Sequence, residues 1–181
     1  MENSNLLLIY LTVLLALLGV AAFFVTRQVL KTRRIESTLS RLQTKLTKAK
    51  GTAQEYYELG SLLLDKKLYT QAALYLQQAL KQIDQGELEN SALVHNALGY
   101  AYFAQEQYDL AIRNYREALK IAPTYVTALN NLGHSYERKQ LMKQALEAYD
   151  EALAIEPGNS TAKRRAASLK KRFTPAVSPD R

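Results

Sequence analysis

From Leu6 to Val25 twenty residues pass without a charge, LLLIYLTVLLALLGVAAFFV. A helix of that length rises roughly 30 Å, the thickness of a bilayer's hydrocarbon core. The run predicts a transmembrane helix over 6–25, with 1–5 as a short tail on the non-cytoplasmic side. A secretory signal peptide cut near Ala21 or Ala22 is the alternative. Against it stand Glu2 where a basic leader belongs and an apolar run longer than the ~7–15 residues of a signal-peptide core. Past the span, Ile35, Leu39, Leu42 and Leu46 recur at steps of four, three and four, drawing a narrow apolar seam on a helix otherwise rich in Lys and Arg. Residues 26–50 are therefore expected to form a basic helical stalk, too short in heptads to establish a coiled coil.

Beyond residue 50 the pattern of large and small apolar residues repeats. Leu98-Gly99, Tyr102, Ala111, Tyr115, Ala118 and Pro123 recur as Leu132-Gly133, Tyr136, Ala145, Tyr149, Ala152 and Pro157, each displaced by 34. A looser copy precedes them in Leu59-Gly60, Leu63, Ala72, Leu76 and Ala79, with Asp84 at the proline position and a five-residue excess at about Glu87 to Ser91. These spacings resemble the tetratricopeptide-repeat (TPR) family, whose 34-residue unit is a pair of antiparallel helices. The resemblance implies repeats at 53–86, 92–125 and 126–159. The expected fold is all-α: an N-terminal transmembrane helix, then a TPR right-handed superhelix of three helix-turn-helix repeats with a C-terminal capping helix.

Within that frame each residue type has a task. The glycines let the two helices of a pair approach closely, as do the alanines of the second helix. Tyr102, Tyr115, Tyr136 and Tyr149 are expected to fill the space between neighbouring pairs, and Pro123 and Pro157 to stop each second helix. Tyr56, His95 and Leu129 stand where the family often has Trp, which places His95 in the core. A repeat cannot bury its apolar face alone and needs an end cap. In 160–173, Ala162, Ala166, Leu169 and Phe173 share one helical face with Lys and Arg on the others, as expected of that cap. Residues 174–181 are expected to be a disordered tail.

Charge changes the picture once it is divided. The chain of 181 residues carries +7 overall. Residues 27–50 hold +7 and 160–181 hold +6, whereas 51–159 hold nine basic and fourteen acidic residues, or −5. Arg27, Lys31, Arg33 and Arg34 directly follow the span and no basic residue precedes it, so the positive-inside rule puts the C-terminal part in the cytoplasm or stroma. The cationic face of the stalk suits anionic lipid headgroups. The clusters KRR at 163–165 and KKR at 170–172 raise a nucleic-acid reading, but a solvated cap near an anionic membrane accounts for them, and no nucleic acid is expected as partner.

Candidate chemistry is sparse. Cysteine is absent, and the two histidines, His95 and His134, have no metal-ligand spacing. No phosphate loop, dinucleotide fingerprint or zinc-protease motif occurs. Catalysis, cofactors, metals and a small-molecule substrate are therefore not expected.

In the TPR family the first helix of each pair lines the concave face, which selects Gln54, Tyr57, Ser61, Leu64 and Asp65, then Leu93, Asn96, Tyr100, Phe103 and Ala104, then Thr127, Asn130, His134, Glu137 and Arg138. The candidate protein-binding groove consists of Tyr57, Ser61, Leu93, Asn96, Tyr100, Phe103, Asn130, His134 and Arg138. Asn96 and Asn130 suit an extended peptide backbone, and the aromatics suit apolar anchors. The stalk helix is the alternative cover for this surface. Some family members clamp the carboxylate of chaperone tails with Lys and Asn. The basic clamp positions here hold Tyr57, Thr127 and Asn131, so that ligand is not expected.

A span, a basic stalk, three repeats and a basic end helix together resemble the thylakoid TPR proteins of cyanobacteria and algal plastids that assist photosystem I assembly. The resemblance implies a non-catalytic assembly factor on the stromal or cytoplasmic face of the thylakoid, with photosystem I subunits or assembly factors as partners. A membrane-anchored docking receptor for precursor proteins or another membrane complex is the alternative. A regulator that binds lipid or nucleic acid through its basic arms is a third reading.

Overall fold

The computed structural model of the protein describes residues 2–83 and 88–173, and of 2–9, 88–90 and 173 the backbone alone. The expected tail 174–181 and Asp84 lie outside the described residues. Eight α-helices make up the described chain, and it contains no strand. They divide into two compact units, 1–48 and 49–181.

The first unit is one helix, α1 (Glu2–Lys48), running without a break through the apolar run and the basic stalk. At 1.5 Å per residue it extends roughly 70 Å. It is long and apolar enough to cross a membrane, and the large side chains of its apolar run point outward, with Leu15 and Phe23 60% and 63% exposed, whereas Leu39 and Leu42 in its stalk are buried. Thr26 and Thr32 donate their hydroxyls to the carbonyls of Ala22 and Gln28, one turn back. These polar groups are thus satisfied within the helix.

The second unit holds α2 (Ala53–Asp65), α3 (Tyr69–Gln82), α4 (Leu88–Ala104), α5 (Tyr108–Ile121), α6 (Val126–Arg138), α7 (Met142–Ile155) and α8 (Ser160–Phe173). Each packs mainly on its neighbours in sequence, while α2 also touches α4 and α4 touches α6. The first helices of the three pairs therefore lie side by side and form one face. The apolar residues recur at helical spacing, and they close a core in which Leu59, Leu63, Ala72, Leu76, Ala111, Tyr149 and Ala152 are fully buried or nearly so.

Local chemistry sets the ends. Thr52 Oγ1 accepts the Glu55 N–H at 3.2 Å and Glu55 Oε2 accepts the Thr52 N–H at 3.1 Å, a capping box that starts α2. Every turn inside a pair has one residue in the left-handed conformation, Lys67, Glu106 and Gln140, with φ near 60°. There the following amide reaches back into the first helix, as Leu141 N–H does to the Tyr136 carbonyl at 2.9 Å. Asn159 Oδ1 accepts the Ala162 N–H at 2.9 Å and so starts α8. That helix buries Ala162, Ala166 and Leu169 against the end of the stack.

Three expectations change in detail. The five-residue excess is helix from Leu88 on: α4 begins there and runs 17 residues, against 13 in α2 and α6. Tyr115 and Tyr149 pack inside their own pairs, because the rings lie over Gly99 and Gly133, where an added Cβ would fall 2.7 and 2.8 Å from the nearest ring carbon. His95 is half-buried rather than enclosed. Its Nδ1 meets Asn114 Oδ1 at 3.2 Å, and Asn114 Nδ2 donates to the Leu110 carbonyl, so the Asn oxygen faces the imidazole and Nδ1 carries the proton.

Candidate protein-binding groove

Side by side, α2, α4 and α6 present their inner faces along one surface, and the predicted residues fall on it in two groups. At the α2–α4 end, Tyr57, Ser61, Leu64, Asp65, Asn96 and Tyr100 line a concavity of about 430 Å³. Asn131, Ala97, Lys67 and Tyr69 complete it. Tyr69 was invisible to a reading that takes groove residues from first helices alone. It opens α3, directly after the turn, and its ring stands edge-on to Tyr100 with centroids 6.3 Å apart at 82°.

The floor is a chain of amides. Asn131 Nδ2 donates to Asn96 Oδ1 at 3.0 Å, and Asn96 Nδ2 donates to the Tyr125 hydroxyl at 3.2 Å. Burial and the nearby Tyr57 phenol raise the Tyr125 pKa, which keeps it a hydroxyl. Asn130 is oriented from the cap: Asn159 Oδ1 already accepts from Ala162, so Asn130 must turn Nδ2 toward it, at 3.2 Å. Its own Oδ1 is thereby buried without a hydrogen-bond partner. An unpaired buried acceptor costs about 1–3 kcal/mol, which a donor from a ligand or water recovers.

The second group lies between α4 and α6. The Phe103 ring sits 4.8 Å from His134, tilted by 40°, and 5.5 Å from Tyr108. Burial, then the Arg165 charge, lowers the His134 pKa, so the imidazole is neutral at pH 7. Arg138 leaves the surface for the turn between α4 and α5, 5.1 Å above the Tyr108 ring and 3.6 Å from Glu106. Glu137 is used within the fold: Oε1 accepts the Tyr149 hydroxyl at 2.6 Å and Oε2 lies 3.3 Å from Arg165 of α8. Leu93 is 44% exposed and stands outside the concavity.

A cleft of amides, phenols and apolar surface fits an extended chain, whose backbone offers both donors and acceptors. Among the described residues no group of three or more His, Cys, Asp or Glu is placed to hold a metal ion.

Comparisons with known proteins agree with this architecture. Family models described as tetratricopeptide repeat match residues 53–85 and 126–159, and one described as TPR repeat matches 99–140. The Arabidopsis thaliana chloroplastic tetratricopeptide repeat domain-containing protein PYG7 is 41% identical over 122 residues, 67% of this chain and 40% of its own length. The uncharacterized protein ycf37 of Cyanophora paradoxa is 37% identical over 60% of this chain and 62% of its own. That of Pyropia yezoensis is 31% identical over 67% and 71%. The chain thus spans less than two thirds of the first two of these relatives. Among solved structures, MamA superposes with a TM-score of 0.72 at 20% identity, over 79% of this chain and 81% of that one, a likeness of fold.

Proposed function

Because the chain belongs to the tetratricopeptide-repeat family, we propose that it is a membrane-tethered scaffold that holds another protein in its groove, and that in the thylakoid it assists photosystem I assembly. The observation that carries the binding role is the prepared groove. Its amides are oriented in advance by Tyr125 and Asn159, and Asn130 Oδ1 is held buried and unpaired. Side chains held in place beforehand lose less freedom when a peptide backbone binds to them.

The tether follows from α1, whose outward apolar surface suits lipid, with Arg27, Lys31, Arg33 and Arg34 keeping the repeats on the stromal or cytoplasmic side. The photosystem I setting rests on the resemblance in architecture, and the chloroplastic relative supports it.

The test is purification of the C-terminally tagged chain from thylakoids of a photosynthetic host in mild detergent. The native protein is compared with Asn96→Ala/Tyr100→Ala/Asn130→Ala after circular dichroism has matched their helicity. Photosystem I subunits or assembly factors are expected with the native chain and absent with the triple variant. Equal recovery with both moves the binding surface elsewhere, and absence from both removes photosystem I as the setting.

A further inference from the structure

The α2–α4 end of the groove combines three phenol rings with a carboxylate that the local helix chemistry disfavours. Tyr57 comes from α2, Tyr69 from α3 and Tyr100 from α4, and all three line the same concavity as Asp65. Asp65 is the last residue of α2, where the negative end of the helix dipole repels a carboxylate. The last residue of α6, two repeat pairs further on, is Arg138, the favoured sign. Asp65 is exposed and is in no ion pair among the described residues, yet it lies close enough to Tyr100 to act on its phenol.

A residue placed against local preference and left unpaired points to a ligand rather than to stability. The amides beneath it are already engaged with each other and with Tyr125. Beside those amides the lining offers three phenol rings, whose quadrupoles attract cations and repel anions, and a negative charge. The lining also holds one basic residue, Lys67, exposed on the turn that follows Asp65. The surrounding repeats, 51–159, carry −5, which favours a positively charged approach.

We propose that this concavity receives a lysine or arginine side chain from an extended segment of the partner protein, with the rings of Tyr57, Tyr69 and Tyr100 around its stem and Asp65 opposite its charge. This rests on the groove being the partner site and adds what the partner must carry. An acidic side chain or a terminal carboxylate meets Asp65 and the ring faces as repulsion, so the recognised segment is basic and is not a C-terminus.

The test presents the full chain in detergent micelles to an immobilised library of random, N-acetylated, C-amidated nonapeptides, alongside Asp65→Asn and the triple variant Asn96→Ala/Tyr100→Ala/Asn130→Ala. Removing a carboxylate from a helix C-terminus does not threaten the fold of Asp65→Asn, and circular dichroism checks it. Peptides retained by the native chain and lost with the triple variant are expected to share a Lys or Arg at one register. Asp65→Asn is expected to weaken them about three- to tenfold, and replacing that Arg by citrulline to weaken them similarly. Groove-dependent peptides that share no cation, or share an acidic residue, overturn the cation site and leave the groove intact. Equal retention by native and triple variant overturns both.

Discussion

Gly99 and Gly133 are where single atoms decide the fold. Both lie under tyrosine rings that are 1% and 0% exposed, so neither ring has room to swing away from an added methyl group. At Gly60 the facing group is the flexible end of Leu76, which yields more readily. Overpacking of about 1–3 kcal/mol exceeds the roughly 1 kcal/mol that alanine gains over glycine in a helix. Gly99→Ala is therefore expected to destabilise by up to about 2 kcal/mol, read by thermal unfolding followed by circular dichroism. Gly158→Ala, where an added Cβ meets nothing within 4 Å, is the control and is expected to be neutral. The register of these glycines was legible from the sequence, because a 34-residue displacement survives in the letters. The direction in which a ring leans was not: Tyr115 and Tyr149 lie across their own pair, a consequence of the close approach itself.

At the scale of the element, the turns inside the pairs follow one geometry with three different residues. Lys67, Glu106 and Gln140 all adopt φ near 60°, a conformation that costs a side-chain-bearing residue about 1 kcal/mol and glycine almost nothing. Gln140→Gly is expected to stabilise the domain by up to about 1 kcal/mol, less what glycine's unfolded-state freedom takes back. A lower unfolding midpoint contradicts this reading of the turn. The sequence does not announce these positions, since none holds Gly or Asn. The five-residue excess could be placed by register, at about Glu87 to Ser91, but not given a conformation: from Leu88 on it lengthens α4 at its start, where helix-compatible residues meet no proline. Of the candidate site, repeat register located Tyr57, Asn96 and Tyr100 in one concavity. Tyr69 escaped because it belongs to a second helix, and Arg138 and Glu137 were claimed by Glu106, Tyr149 and Arg165, contacts between elements that no local pattern carries.

At the scale of the whole molecule, the account joins a long apolar helix to a repeat domain whose inner surface holds the groove and whose end is closed by α8. Its central claim is that the inner surface, not the outer one, meets the partner. Two residues of similar exposure separate these possibilities: Tyr100, 43% exposed in the groove, and Leu74, 56% exposed on α3. The most direct measurement places the photo-crosslinking amino acid p-benzoylphenylalanine at each position in turn, in the full chain expressed in a photosynthetic host. Thylakoids are then irradiated and the adducts identified by mass spectrometry. The account predicts an adduct to a photosystem I subunit or assembly factor from position 100 and none from position 74. The same adduct from position 74 with none from position 100 contradicts it, because the partner then docks on the outer face and the groove serves another purpose.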